Sequence, residues 1–257
     1  MNRSNPKWMV CKNTDTLNQT ALKLFRDLYQ QALSKKELFT VLLSGGKTPE
    51  AIYALLAESS IRFNLEWNRI HLFWGDERFV PFSNAQSNFG AVKRLLISKI
   101  SISPFNVHPI ETEGLTPTEA AKRYEEQLRR FFNSQIDSLP RFHLIFLGVG
   151  TDGHTASLFP GMPELHEKDK WVVSSYIEKL KSHRITVTFP VLNQGQNVLI
   201  LASGESKADI LGVISRADDA TLYPVQRIKP VYGKLTYLID EEAASKLSRK
   251  EIAVLED

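Results

Sequence analysis

Asp152 and His154 stand two residues apart inside "FLGVGTDGHTASLFPG", Phe146 to Gly161. An imidazole titrates near neutral pH and can take a proton from water, and a carboxylate nearby can orient the ring. Around the pair, Gly148, Gly150 and Gly153 spell G-x-G-x-x-G, the spacing of a dinucleotide fingerprint. That fingerprint should open an early βαβ unit, with an acidic residue about 20 positions on, at the end of the next strand. Here the motif lies past mid-chain, and Asp169 comes before the next strand candidate rather than closing it. A loop that does chemistry is the better reading.

Three other stretches carry groups suited to an anion. In "SGGKTPE", Gly45 and Gly46 let backbone amides approach a ligand, and a helix capped by Thr48 with Pro49 in its first position would aim its positive end there. The G-x-x-x-x-G-K-[ST] spacing of a P-loop is absent. In "GDERFVP", Arg78 can grip a phosphate with two parallel hydrogen bonds, while Asp76 can accept a proton or orient another group. In "ASGESKADIL", a helix capped by Ser203 would put Lys207 near its first turn. The macrodipole disfavours a cation there by a few tenths to about 1 kcal/mol, and a bound anion would remove the conflict.

Neither G-x-S-x-G nor a His-x-x-x-His pair is present, so a serine hydrolase or zinc peptidase is not favoured. His71, His108, His143, His166 and His183 lie in or beside strand candidates or in plain loops and are expected to be structural. The residues themselves point to hydrolysis or isomerisation of a small phosphorylated substrate, with no metal, no cofactor and no covalent intermediate.

The elements that must position these groups alternate strand and helix. Leu17, Ala21, Leu24, Phe25, Leu28 and Ala32 recur at helical spacing over 15–34. "LFTVLL", "RIHLFW", "FHLIFLGV", "WVVSSY", "RITVTF", "NVLILA" and "LTYLI" read as strands, with helices after "LFTVLL" through Glu58, over "NFGAVKRLLISKI", near Lys207 to Ile214 and in "DEEAASKL". Thr116, Pro117 and Glu119 spell a capping box with proline at N1. The rhythm predicts one α/β domain over 1–257: a largely parallel, Rossmann-like doubly wound sheet with helices on both faces. Segments near 100–118 and 216–233 are expected to be loops or a small extra lobe. In such a sheet the loops after "LFTVLL", "RIHLFW", "FHLIFLGV" and "NVLILA" converge on one site.

Composition narrows the class further. At 257 residues the chain can bury a substantial core, and its single cysteine, Cys11, excludes an internal disulfide framework. Thirty-two Lys and Arg against 29 Asp and Glu are interspersed, so nucleic acid is not indicated. No signal-like or membrane-length apolar run is present, and a cytoplasmic protein with no membrane partner is expected.

"LSGGKTP", "WGDERFVP", Ser87-Asn88, "LGVGTDGHTASLFPG", "RITVTFPVLN", "SGESKADIL" and "YLIDEEAA" resemble, in order and over nearly the whole chain, the 6-phosphogluconolactonase family. Its fold is shared with glucosamine-6-phosphate deaminases, which typically show Asp-Glu-Tyr and Ala-Phe-Asn where this chain has "DERFVP" and "TASLFP". The resemblance implies hydrolysis of 6-phospho-D-glucono-1,5-lactone in the pentose phosphate pathway, with His154 as general base and either Asp152 or Asp76 orienting it. It also implies that Gly45, Gly46, Lys47, Arg78 and Lys207 hold the 6-phosphate, in a monomer or weak homo-oligomer. Tyr237, where many relatives have Trp, and Gly195, where Ala is common, depart from the pattern outside the motif loops.

Overall fold

Short, continuously apolar runs become strands enclosed on both faces. The computed structural model describes residues 6–60, 63–132, 138–216, 223–247 and 253–254. Its strands are β1 (Lys7–Cys11), β2 (Phe39–Leu43), β3 (Ile70–Trp74), β4 (Asp76–Arg78), β5 (Val107–His108), β6 (Leu144–Gly148), β7 (Val172–Ile177), β8 (Ser182–Val187), β9 (Asn197–Ala202), β10 (Lys234–Asp240) and β11 (Ala253–Val254). Between them run α1 (Thr14–Ser34), α2 (Lys47–Ser59), α3 (Asn88–Leu95), α4 (Pro117–Phe131), α5 (Phe189–Leu192), α6 (Ala208–Arg216) and α7 (Glu241–Ala244). Eight strands form one sheet in the order β11-β1-β10-β9-β6-β2-β3-β5, paired in parallel throughout. Every residue of β2 is buried, which requires cover on both faces.

The winding of the chain locates the site. From β2 it proceeds to β3 and β5 on one side; from β6 it proceeds to β9 and β10 on the other. The direction reverses between β2 and β6, and the crevice outside their carboxyl ends is where sheets of this kind bind ligands. Two buried tyrosines fix the strand ends beside it. The Tyr53 hydroxyl from α2 donates to Ser44 O and accepts from Ser44 N, and Tyr124 from α4 does the same to Trp74.

The capping box on α4 is present in both directions, and α1 spans nearly its expected range. Several expectations need correction. α2 begins at Lys47 with Gly46 at the N-cap position, so Thr48 is not its cap and Pro49 is not its first residue; Gly46 has φ 111°, which suits glycine. The "DER" loop is strand β4. With β7 and β8 it forms a separate antiparallel sheet, so "WVVSSY" and "RITVTF" do not extend the parallel one. The four residues linking β7 to β8 allow a hairpin, whereas a parallel pairing needs a long crossover. This sheet is the extra lobe, placed elsewhere than 100–118 or the described part of 216–233, of which 217–222 lie outside the described residues. Gly75 joins the two sheets: its N–H donates to Leu43 O at 2.8 Å and its carbonyl accepts from Val187 N at 2.9 Å.

Strand β1 is absent from the sequence reading, although four of its five residues are buried. Trp8 within it stacks on Tyr237, ring centroids 4.1 Å apart, so the tyrosine keeps an aromatic layer between β1 and β10. Gly195 has a packing reason too. A Cβ there would lie 2.7 Å from Ile145 Cδ1 and 2.9 Å from Val198 Cγ2. Among the described residues no helix is long and apolar enough to cross a membrane.

Candidate active site

The loop leaving β6 is folded by its glycines around the Asp152–His154 pair. His154 O accepts from Gly150 N at 2.8 Å, and Gly153, at φ 74°, turns the chain back toward Gly150 O. A Cβ on Gly150 would stand 2.0 Å from His154 Nδ1 and 2.6 Å from Asp152 Oδ1, so only glycine lets both side chains lie against the backbone. No helix begins at His154; Thr155 instead bridges to Leu158, and its hydroxyl donates to Gly148 O.

His154 Nδ1 lies 2.5 Å from Asp152 Oδ1. An ionised carboxylate only accepts, so Nδ1 carries the proton and Nε2 is the basic nitrogen of the neutral ring. Phe159 stacks on the other side of the imidazole, centroids 4.2 Å apart. Lys179, from the turn between β7 and β8, donates to Asp152 Oδ2 and lies over the Phe159 ring at 5.2 Å. Burial works to raise the Asp152 carboxyl, but the hydrogen bonds from Lys179 and His154 outweigh it and hold the group down at about 2.

A second carboxylate system lies under the loops after β2 and β3. Asp76 is buried, with Oδ2 accepting from Ser157 Oγ at 2.6 Å and Oδ1 from Asn88 Nδ2 at 3.3 Å. Its hydrogen bonds go to these neighbours and not to the imidazole. Glu77 is fully buried at the start of α3. Burial pushes its carboxyl up to about 7, against the lowering pull of the Phe89, Asn88 and Arg78 amides, and Asp76 adds to the rise.

Cations line the remaining walls. Arg78 on β4 is directly opposite Arg184 on β8 in the antiparallel register. Like charges placed so are destabilising, and among the described residues neither guanidinium has an acidic partner within ion-pair distance. Arg78 instead donates to Gln86 O, and Arg184, 9% exposed, donates to Ser182 Oγ at 2.6 Å. Burial and then the Arg78 charge lower the Arg184 guanidinium, with Asp76 and Glu77 offsetting part of this. Lys207 closes a 3₁₀ turn behind Gly204 and leads into α6. Burial lowers its ammonium and the charge of Asp152 pulls it back up, so the two groups sense one another. Ser203 is not the expected helix cap; its hydroxyl donates to Asp240, which also accepts from Gly204 N and Thr14.

Asp152 and His154 lie in the loop after β6, Asp76 and Arg78 on β4 directly after β3, and Lys207 in the turn after β9, so all five follow the carboxyl ends of strands of the parallel sheet. Gly45 and Gly46 sit at the uncapped start of α2, whose first N–H groups have no side-chain acceptor, and Lys47 is exposed beside them. Two residues of this region are absent from the sequence reading: Lys179 and Arg184. The second had a readable signal, since Arg184 opens the "RITVTF" strand. Of the histidines set aside, His71 pairs with His108 at 3.0 Å and His143 with Glu37 at 3.0 Å, both away from this end. Among the described residues no group of three or more His, Cys, Asp and Glu side chains converges as a metal site.

The family described as "Glucosamine-6-phosphate isomerases/6-phosphogluconolactonase" matches residues 12–237. The 6-phosphogluconolactonase of Synechocystis sp. is 35% identical over 243 residues, 94% of this chain and 98% of the relative. That of Nostoc sp. is 34% identical over 240 residues, covering 93% and 97% of the two chains. Among solved structures, 6-phosphogluconolactonase from Trypanosoma cruzi superposes with a TM-score of 0.86 at 26% identity, over 96% of this chain and 98% of that one.

Proposed function

The chain belongs to the glucosamine-6-phosphate isomerase/6-phosphogluconolactonase family, and on that premise we propose that it hydrolyses 6-phospho-D-glucono-1,5-lactone to 6-phosphogluconate. The observation that carries this reading is His154, anchored through Nδ1 by Asp152 beyond the same strand ends as an arginine pair that has no acidic partner among the described residues. A dianionic phosphate relieves the Arg78–Arg184 repulsion, and a base at the other end of the substrate meets the lactone carbonyl.

In this mechanism the 6-phosphate is held by Arg78 and Arg184, with Lys207 and the amides at Gly45, Gly46 and Lys47 completing the grip. His154 Nε2 takes a proton from the water that attacks C1. The carbonyl oxygen becomes the tetrahedral oxyanion, and the imidazolium returns its proton to the ring oxygen as the C1–O5 bond breaks. Asp152, rather than Asp76, orients the ring and stabilises its protonated form. Lys179 shares that carboxylate, so no surplus negative charge faces the anionic substrate. Cys11 is buried and unpaired, which suits a reducing compartment, and we place the reaction in the cytoplasm, carried out by a monomer or weak homo-oligomer.

The test is decay of the lactone, generated in place from glucose 6-phosphate by its dehydrogenase, with buffer and His154→Ala as controls. Acceleration by the wild type that the variant loses supports the proposal. A folded wild type that leaves the spontaneous rate unchanged contradicts it.

A further inference from the structure

Glu77 has more hydrogen bonds than a structural cap needs, and no counter-ion. Its Oε1 accepts from Asn88 N at 2.7 Å and Arg78 N at 2.8 Å; its Oε2 accepts from Phe89 N at 2.8 Å and Ser87 Oγ at 3.1 Å. Among the described residues no Lys, Arg or His side chain stands within ion-pair distance of it. α3 already has an ordinary cap, because Ser87 Oγ accepts from Gly90 N at 3.0 Å. What Glu77 adds is a tether from β4 that fixes residues 87–89 in space.

The side chain fixed by that tether is Asn88, 2% exposed. Its Nδ2 donates to Asp76 O at 2.9 Å and Asp76 Oδ1 at 3.3 Å. Its other end lies flat on the loop after β2: a Cβ on Gly45 would be 1.9 Å from Asn88 Oδ1. Asp76 continues the line to Ser157 Oγ at 2.6 Å, three residues past His154. An unbroken chain of contacts, Gly45–Asn88–Asp76–Ser157, therefore spans from the candidate phosphate loop to the base loop. These loops leave different strands of the sheet, β2 and β6.

We propose that Glu77 is a positioning residue: by seating Asn88, it sets the register between the loop that holds the phosphate and the loop that carries His154. The inference rests on the lactonase reading for its kinetic consequence. A substrate gripped at one end and attacked at the other is sensitive to that register, since a misplacement of about 1 Å costs on the order of a hundredfold in rate. A carboxylate suits the task because all four donors need acceptors. Glutamine offers one acceptor oxygen and turns an amide toward two of the donors.

The experiment compares wild type, Glu77→Gln, Asn88→Ala and the double variant in lactone hydrolysis over a substrate series, with inorganic phosphate binding and thermal melting measured on the same samples. Asn88→Ala is expected to lower kcat/KM by about tenfold to a hundredfold, with kcat reduced, KM raised and phosphate binding weakened. Glu77→Gln is expected to do the same and to add little on the Asn88→Ala background, because both act through one contact. Wild-type kinetic constants in Glu77→Gln despite a lower Tm would reduce Glu77 to a fold stabiliser and overturn the proposal, as would multiplicative effects in the double variant. Should Glu77→Gln not fold, Asn88→Ala decides alone, and wild-type constants in it overturn the register. A wild type inert on the lactone would defeat the reaction rather than the tether, which phosphate binding to wild type and Asn88→Ala then tests directly.

Discussion

Two carboxylate systems flank the same crevice and are built on opposite principles. Asp152 is partly open to solvent, 28% exposed, and bonds to side chains that carry or can carry positive charge, His154 and Lys179. Asp76 and Glu77 are buried and bond to amides and hydroxyls. A carboxylate among titratable partners exchanges charge with a reaction, whereas one saturated by neutral donors fixes geometry. On the proposed function, this difference puts the chemistry in the loop after β6 and the framing at the junction of β4 and α3.

The sharpest way to break the first system without touching its side chains is Gly150→Ala. The new Cβ collides with both His154 and Asp152, and kcat for lactone opening is expected to fall by about 10²–10⁴-fold, the range for losing a general base, while circular dichroism remains native. Arg184→Ala tests what faces the pair. Hydrogen bonds to charged groups contribute about 1.5–3 kcal/mol, so kcat/KM is expected to drop by about tenfold to a hundredfold, mostly through KM in steady-state assays. The same change removes the repulsion with Arg78, and unfolding by urea is expected to show no loss of stability.

The charged system also has a pH signature. The Asp152 carboxyl is held at about 2 against an ordinary 3.8, so its pairing stabilises the fold above the ordinary value. That contribution is lost as pH falls from about 4 to about 2. Discounted for partial exposure, the wild type is expected to exceed Asp152→Asn by about 1–2 kcal/mol at pH 6 in urea melts, with the gap closing by pH 2. The smallest effect is expected at a site remote from both systems. Gly195→Ala presses on the flexible ends of Ile145 and Val198, costing about 1 kcal/mol in melting experiments and leaving kcat and KM unchanged.

Much of this was legible in the chain because local rules decided it. The capping box at Thr116 and Glu119 and the buried runs that became β2, β3, β6 and β9 need no distant partner to be recognised. Asp152 and His154 were readable because two residues of spacing on a glycine turn already bring them together. β1 was missed because its apolar run is only the four residues "WMVC", and its pairing is with β10, more than 200 residues away. Lys179 was missed because its position depends on the hairpin folding back against the loop after β6, a tertiary contact with no local signal, whereas Arg184 stood in plain view at the head of "RITVTF" and lacked only the pairing with β4 that sets it opposite Arg78. Asp76 and Asp152 could not be separated by sequence, since both follow a strand; hydrogen bonding distinguishes them.

That distinction is tested most directly by kcat at saturating lactone for Asp152→Asn beside Asp76→Asn. With Asp152 orienting the imidazole, its asparagine variant is expected to lose about a hundredfold or more, because the amide disturbs the Nδ1–H tautomer. Asp76→Asn keeps an acceptor for Ser157, Asn88 keeps its shorter bond to the Asp76 backbone carbonyl, and the variant is expected to stay within about tenfold of wild type. The reverse order of losses would contradict the account and move the orienting role to Asp76.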